Sequence, residues 1–102
     1  MSKIEILVIC RHRDILQTIV RLINNNPDWN ATGTITDEEA IAAFTAQSIN
    51  LVLLGSGIEP KNEENLCAAF KAHNAAITII QPYGGGSGLL AAEIYEALNG
   101  RV

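Results

Sequence analysis

The sequence predicts an α/β domain in which helices cover both faces of a parallel sheet. Short β-branched apolar runs alternate with segments of helical periodicity, the hydrophobic fraction is 48%, and charged residues make up only 18%. Strands that alternate with helices are typical of parallel sheets, because each connection must cross a face of the sheet. The 102 residues, 1–102, are expected to form a single domain.

The first strand and helix are predicted with the clearest patterns. Ile4–Cys10 (IEILVIC) is a short apolar, β-branched run, as in a strand that is buried in a parallel sheet. Asp14–Asn25 then changes to helical period and ends before Pro27, which disfavours helical geometry at the preceding residue. The apolar residues of this helix form two adjacent stripes, one of Ile15, Ile19 and Leu22 and one of Leu16, Val20 and Ile23.

The second strand and helix have weaker signals. In Trp29–Thr36, the threonines and Gly33 indicate a strand at the edge of the sheet. Thr36 precedes three acidic residues, which is the pattern of a helix cap with acids in the first turn. Apolar and polar residues then follow at helical spacing, at Ala40, Ala43, Phe44 and Gln47.

The second half of the chain continues the alternation. Its predicted elements are the strand Asn50–Leu54, the loop Gly55–Gly57, the helix Pro60–His73, the strand Ala76–Ile80, a glycine-rich loop over Pro82–Gly88 and the helix Leu89–Leu98. Four strands joined by right-handed crossovers favour a three-layer, doubly wound, flavodoxin-like sheet of order 2-1-3-4.

Composition restricts the partners and the compartment. The net charge is -4 and no Lys/Arg run occurs, which disfavours binding to nucleic acid. No apolar stretch approaches the roughly 20 residues of a membrane span, and the apolar run of 6–9 is shorter than the core of a secretory signal and is not followed by an A-x-A site, so none is expected. Cys10 and Cys67 are compatible with a reducing compartment. We therefore expect a cytoplasmic protein without a membrane partner.

Two segments resemble the receiver domain of two-component response regulators. Leu22–Ala40 (LINNNPDWNATGTITDEEA) has the Pro-Asp-aromatic segment, strand and acidic cap that receivers often carry. Asn50–Gly55 resembles the strand that ends in the phosphorylated aspartate, and the likeness runs from Lys3 to about Ile58. The family has five strands and five helices, whereas this chain has room for about four of each.

The resemblance implies that the phosphorylation site has degenerated. Receivers hold Mg²⁺ with two acids at the end of the first strand, and those positions are Cys10 and Arg11 here. The phosphoacceptor falls at Gly55, and the family's Lys falls at Gln81. The implied protein is a pseudo-receiver without metal, cofactor or enzymatic activity. It would bind a signalling protein, or a second copy as a homodimer, through its first and last helices.

A second resemblance leads to a different function. A cysteine that ends the first of four parallel strands is similar to the IIB components of sugar phosphotransferase systems, which would make Cys10 a phosphocysteine. That family follows its cysteine with a glycine- and serine-rich loop, whereas Cys10 precedes Arg11, His12 and Arg13. A thiol beside cations and a helix N-terminus has a lowered pKa when the surroundings are polar; a buried strand-end cysteine is the alternative.

Other residues at the same sheet edge are candidates for binding an anion. Cationic side chains and backbone N–H groups ahead of a helix both attract anions. These candidates are Arg11, His12, Arg13, Ser56, Gly84, Gly85, Gly86 and Ser87. Solvated loop charges and a flexible glycine connection are the alternative explanation of these residues, and the sequence favours it.

Overall fold

The computed structural model describes residues 4–55, 57–80 and 94, and its strands and helices alternate as predicted. The elements are β1 (Ile4–Ile9), α1 (Arg13–Asn24), β2 (Trp29–Thr34), α2 (Asp37–Ala46), β3 (Leu51–Leu54), α3 (Pro60–His73) and β4 (Thr78–Ile80). Of the predicted helix 89–98, only Ile94 is described, and it is helical and fully buried. Ser56, Gln81 and the glycine-rich loop 82–88 lie outside the described residues.

The strands form one parallel sheet of order β2-β1-β3-β4, which confirms the predicted fold class. Strand β1 lies at the centre, with Ile6 paired to Ala31 of β2 and to Leu51 of β3. Strand β2 is at the edge, as its threonines and glycine indicated. The ends of β1, β2 and β3 therefore meet along one side of the sheet, which we call the carboxyl edge (residues 10–13, 35–37, 55 and 57–59).

Successive side chains of β1 and β3 supply two separate cores, because strand residues alternate between faces. The first core contains Ile6, Val8, Leu51 and Leu53, together with α1 and Ile94. The second contains the intervening strand residues and packs against α2 and α3, where the rings of Phe44 and Phe70 lie 4.6 Å apart. Continuous burial of these strands is the reason that their sequences read as unbroken apolar runs.

The two predicted stripes of helix α1 are buried to different depths, although residues of both pack against the first core. Leu16 and Ile23 are buried, whereas Ile15 is 45% exposed. A Cβ added to Gly33 of β2 would lie 3.0 Å from Val20 and 3.1 Å from Leu16, so α1 packs closely over this glycine. That close packing turns the stripe of Leu16, Val20 and Ile23 inward, and Ile15 at the flank remains accessible.

The two cysteines lie on opposite faces of the sheet. Cys10 belongs to the first core, and Cys67 packs partly buried against the second. Within the helices that the structure describes, none is long and apolar enough to cross a membrane.

Candidate functional site

Cys10 is enclosed at the end of β1. Its side chain is fully buried, its backbone N–H donates to the carbonyl of Thr34 at 3.1 Å, and its thiol donates to the carbonyl of His12 at 3.5 Å. A nucleophilic thiol must reach its substrate as an exposed thiolate. The position predicted to carry a phosphocysteine is therefore part of the core beneath the carboxyl edge.

Gly55, which the sequence resemblance assigns to the receiver phosphoacceptor, packs directly against Cys10. The N–H of Gly55 donates to the carbonyl of Ile9 at 2.6 Å. A Cβ at Gly55 would lie 2.9 Å from the Cβ of Cys10 and 3.0 Å from the carbonyl oxygen of Ile9. Both neighbours are backbone or backbone-attached atoms of β1, so they cannot swing away as a side-chain tip would. The position lacks room for an aspartate as well as lacking the residue.

Arg11 reaches over the edge towards β2 and α2. Its guanidinium donates to the carbonyl of Ile35 at 2.5 Å and forms an ion pair with Asp37, the first residue of α2. The second carboxylate oxygen of Asp37 accepts from the side-chain amide of Asn62 at 3.1 Å. This Arg11–Asp37–Asn62 bridge links the end of β1 to the first turns of α2 and α3.

Gly57 passes close over Arg11 in the loop between β3 and α3. Its φ of 86° lies in the left-handed region, where glycine alone is unstrained. A Cβ at this position would lie 2.8 Å from the Cβ of Arg11 and 3.2 Å from Nε2 of His12. The loop thus covers the aliphatic part of Arg11, and this approach requires glycine.

The cations of residues 11–13 face the acidic first turn of α2. Arg11 pairs with Asp37, and Arg13 lies near enough to Glu39 to help lower the pKa of its carboxyl. His12 precedes α1 and is exposed, without a side-chain hydrogen bond to the helix N-terminus. The charge of Arg11 is therefore paired within the chain, and anion binding at Arg11, His12, Arg13, Ser56 and residues 84–87 stays a prediction.

Glu39 completes the cap that Thr36 begins. The Thr36 hydroxyl accepts from the N–H of Glu39 at 3.1 Å, and the Glu39 carboxylate accepts from the N–H groups of Ile35 at 3.1 Å and Thr36 at 3.3 Å. Those backbone hydrogen bonds, with Ile35 contributing most, lower the pKa of Glu39 below its ordinary value of 4.5. The capping box fixes the α2 turn that carries Asp37.

The donor atoms at the carboxyl edge do not fit the Mg²⁺ ion that receiver chemistry uses. Mg²⁺ requires oxygen ligands, usually carboxylates and water. Cys10 and Arg11 offer a buried sulfur and a cation, and Gly55 offers no side chain. Across residues 4–55 and 57–80, no three His, Cys, Asp or Glu side chains are grouped so that they could hold a metal ion.

Sequence reasoning singled out Arg11 but missed its partners. Asp37 was recognised only as an acid in a helix cap, and Asn62 gave no signal at all, because an amide in the first turn of a helix is unremarkable in sequence. Residues 25 or more positions apart can be paired only once the strand order is known. The opposite charges of Arg11 and Asp37, both next to strand ends that share an edge, were the available clue.

Two solved structures have a similar fold. One is the signal receiver domain of an HD domain-containing protein from Pseudomonas fluorescens Pf-5, with a TM-score of 0.82, 15% identity and coverage of 98% of each chain. The other is the non-phosphorylated receiver domain of the stress response regulator RcsB from Escherichia coli, with a TM-score of 0.64 and 14% identity, covering 94% of this chain and 76% of that chain. No family model and no curated protein matches the sequence. The receiver-like fold expected from the sequence is confirmed.

Proposed function

We propose that this receiver-like domain takes no phosphoryl group and signals by protein–protein contact. Gly55 carries the proposal: it stands where the phosphoacceptor would, and β1 leaves no space there for a side chain. The pairing of Arg11 with Asp37 is further support, since a cation replaces a metal-binding acid. The similar structures are a signal receiver domain and the receiver domain of a stress response regulator, which favours a signalling role.

Incubation with acetyl phosphate and Mg²⁺, followed by intact mass measurement, tests the chemical part of the proposal. We expect the mass to stay unchanged, because the acceptor side chain and the metal ligands are both missing at Cys10, Arg11 and Gly55. A phosphorylatable receiver treated in parallel should gain a phosphoryl group. A stable phosphoryl adduct on this chain would refute the proposal.

The contact surface remains the one expected from the sequence, the first and last helices. Ile15 of α1 is exposed and apolar, which fits a contact on this helix, although scattered single apolar residues are common on surfaces. Light scattering over a range of concentrations tests the homodimer. A strict monomer would leave only a different signalling protein as the partner.

The phosphocysteine alternative has less support, since Cys10 is fully buried whereas Cys67 is partly accessible. Thiol labelling separates the two functions. In the folded protein we expect slow labelling at Cys67 alone, because burial raises the pKa of the Cys67 thiol, with the nearby Glu63 acting in the same direction. In C67S, where Cys10 is the remaining thiol, we expect labelling only after denaturant has unfolded the protein. Rapid labelling of folded C67S at neutral pH would favour an activated Cys10 and the anion-binding function.

A further inference from the structure

The Arg11–Asp37–Asn62 bridge joins parts of the chain that are far apart in sequence. Arg11 follows β1, Asp37 begins α2 and Asn62 lies in the first turn of α3. The Asp37 carboxylate uses one oxygen for the guanidinium and the other for the Asn62 amide. A single carboxylate therefore holds the N-terminal turns of both helices on the second face to the central strand.

The surroundings make this bridge stronger than an ordinary surface ion pair. The Arg11 and Asp37 side chains are only 24% and 30% exposed, so water screens the pair less than it would at an open surface. The guanidinium also bonds the Ile35 carbonyl, and such forked, charge-assisted contacts fix direction as well as distance. Arg11 is thus held by two groups of the β2–α2 connection.

The loop between β3 and α3 rests on the same arginine. Gly57 crosses so close to the Cβ and Cγ of Arg11 that any added side chain would overlap them. The loop therefore packs against the base of the side chain whose guanidinium is held by Asp37 and Ile35. The loops after β1, β2 and β3 are tied together through one residue.

We propose that the Arg11–Asp37–Asn62 bridge holds the carboxyl edge in a single arrangement that requires neither a divalent cation nor a phosphoryl group. This deepens the proposed function and rests on it for its meaning. An edge fixed by its own side chains presents one surface to a partner at all times. The effect of the bridge on the order of the surrounding loops can be measured without knowing the partner.

Backbone ¹⁵N relaxation on the full chain tests the proposal through the order parameters of Gly57 and Ile58. We expect values of about 0.85 in the wild type and below about 0.6 in R11A, because the loop loses the Cγ of Arg11 that lies beneath Gly57 and the edge loses the guanidinium that joins β1 to Asp37. D37A should loosen the same amides, since Arg11 then lacks its anchor. R11A/D37A should loosen them no further than either single variant, because one bridge is removed in each case.

E38A is the matched control, because Glu38 is an exposed acid in the same first turn of α2. It removes the same favourable charge from the helix N-terminus, and in the described ranges Glu38 forms no ion pair. We expect wild-type order in E38A, and unchanged order at Val8 of β1 in every variant. Addition of MgCl₂ to the wild type should leave the amide shifts of Arg11, Gly55 and Gly57 in place.

Three results would overturn the proposal: wild-type order at Gly57 in both R11A and D37A, equal loosening in E38A, or shifts at the carboxyl edge on adding Mg²⁺. If R11A does not fold, D37A carries the same comparison, because it keeps the arginine stem against Gly57. Failure of the proposed function gives a different signature. A phosphoryl adduct in the mass measurement would refute that function even if the loop order depended on Arg11 as expected.

Discussion

Gly55 and Gly33 both lie beside β1, yet they differ in what a side chain would meet. At Gly55 the neighbours are the Cβ of Cys10 and the carbonyl oxygen of Ile9, which move only with the strand. At Gly33 they are the ends of Val20 and Leu16, which can rotate. A side chain is therefore opposed by the backbone of the central strand at Gly55, and by side chains that can adjust at Gly33.

We predict that Gly55→Ala lowers the free energy of unfolding by about 1–3 kcal/mol, because overpacking against a central strand forces the backbone to shift. Gly33→Ala is the matched control and should change stability by less than about 1 kcal/mol, since Ala also reduces the entropy of the unfolded chain. Urea denaturation followed by circular dichroism measures both. Equal losses of stability in the two variants would show that a side chain is no more restricted at Gly55 than at Gly33.

At the scale of elements, α2 has a start that is defined by its own residues. Thr36 and Glu39 exchange hydrogen bonds in a capping box, and the fold places Asp37 between them at the carboxyl edge. The Glu39 carboxylate receives the N–H groups of Ile35 and Thr36, and these bonds require the ionised form for full strength. The capping box and the Asp37 residue that pairs with Arg11 therefore lie in the same first turn of α2.

We predict that Thr36→Ala costs about 1 kcal/mol of stability, the usual effect of losing an N-cap side chain. Thermal unfolding of the variant and of T45A measures this difference. Thr45 bonds only to backbone carbonyls one turn before it in α2, so T45A should cost clearly less. Similar losses in the two variants would contradict the importance of the cap.

The lowered pKa of Glu39 gives the stability a defined pH dependence. The pKa is lower in the folded than in the unfolded chain, so the contribution is complete above about pH 4.5 and disappears as the pH falls through the folded value. We expect Glu39→Gln, which keeps an acceptor oxygen but cannot ionise, to show a shallower loss of stability below pH 4.5. Urea midpoints between pH 3 and pH 6 would show this, and parallel profiles for the two proteins would exclude the effect.

Element types, sheet order and the α2 cap could all be predicted from the sequence, because each depends on local pattern and on general rules of chain connection. The exposure of Ile15 could not, since the depth to which each apolar stripe of α1 is buried depends on the close approach of Leu16 and Val20 to Gly33. The bridge was missed for a similar reason: the opposite charges of Arg11 and Asp37 were a clue, but their pairing, and the contact with Asn62, depends on loop geometry that the sequence does not specify. The strands were predicted one or two residues too long. Cys10, for example, is buried like the strand before it but lies after the last residue of β1.

At the scale of the whole molecule, both faces of the sheet must be covered for the domain to be stable. The second face is covered by α2 and α3, and the first by α1 together with a helical residue near the end of the chain, Ile94. A domain of 102 residues has a small stability margin, so each of its two cores is needed.

We predict that Ile94→Ala lowers the free energy of unfolding by about 2–5 kcal/mol, because it leaves a cavity in the first core. Ile15→Ala is the matched control, since it makes the same chemical change at a side chain that is 45% exposed. Its cost should fall near the 0.5 kcal/mol typical of surface positions, or about 1 kcal/mol at most. If the two variants lost the same stability, Ile94 would not anchor the first core.

The placement of Cys10 and Cys67 on opposite faces has a consequence for behaviour under oxidising conditions. The sheet separates the two sulfur atoms, so no internal disulfide can form without unfolding. Air oxidation of the native protein should instead cross-link two molecules through their partly accessible Cys67 thiols. Such a covalent pair would appear on a non-reducing gel whether or not the domain associates through its helices, and Cys67→Ser removes that ambiguity.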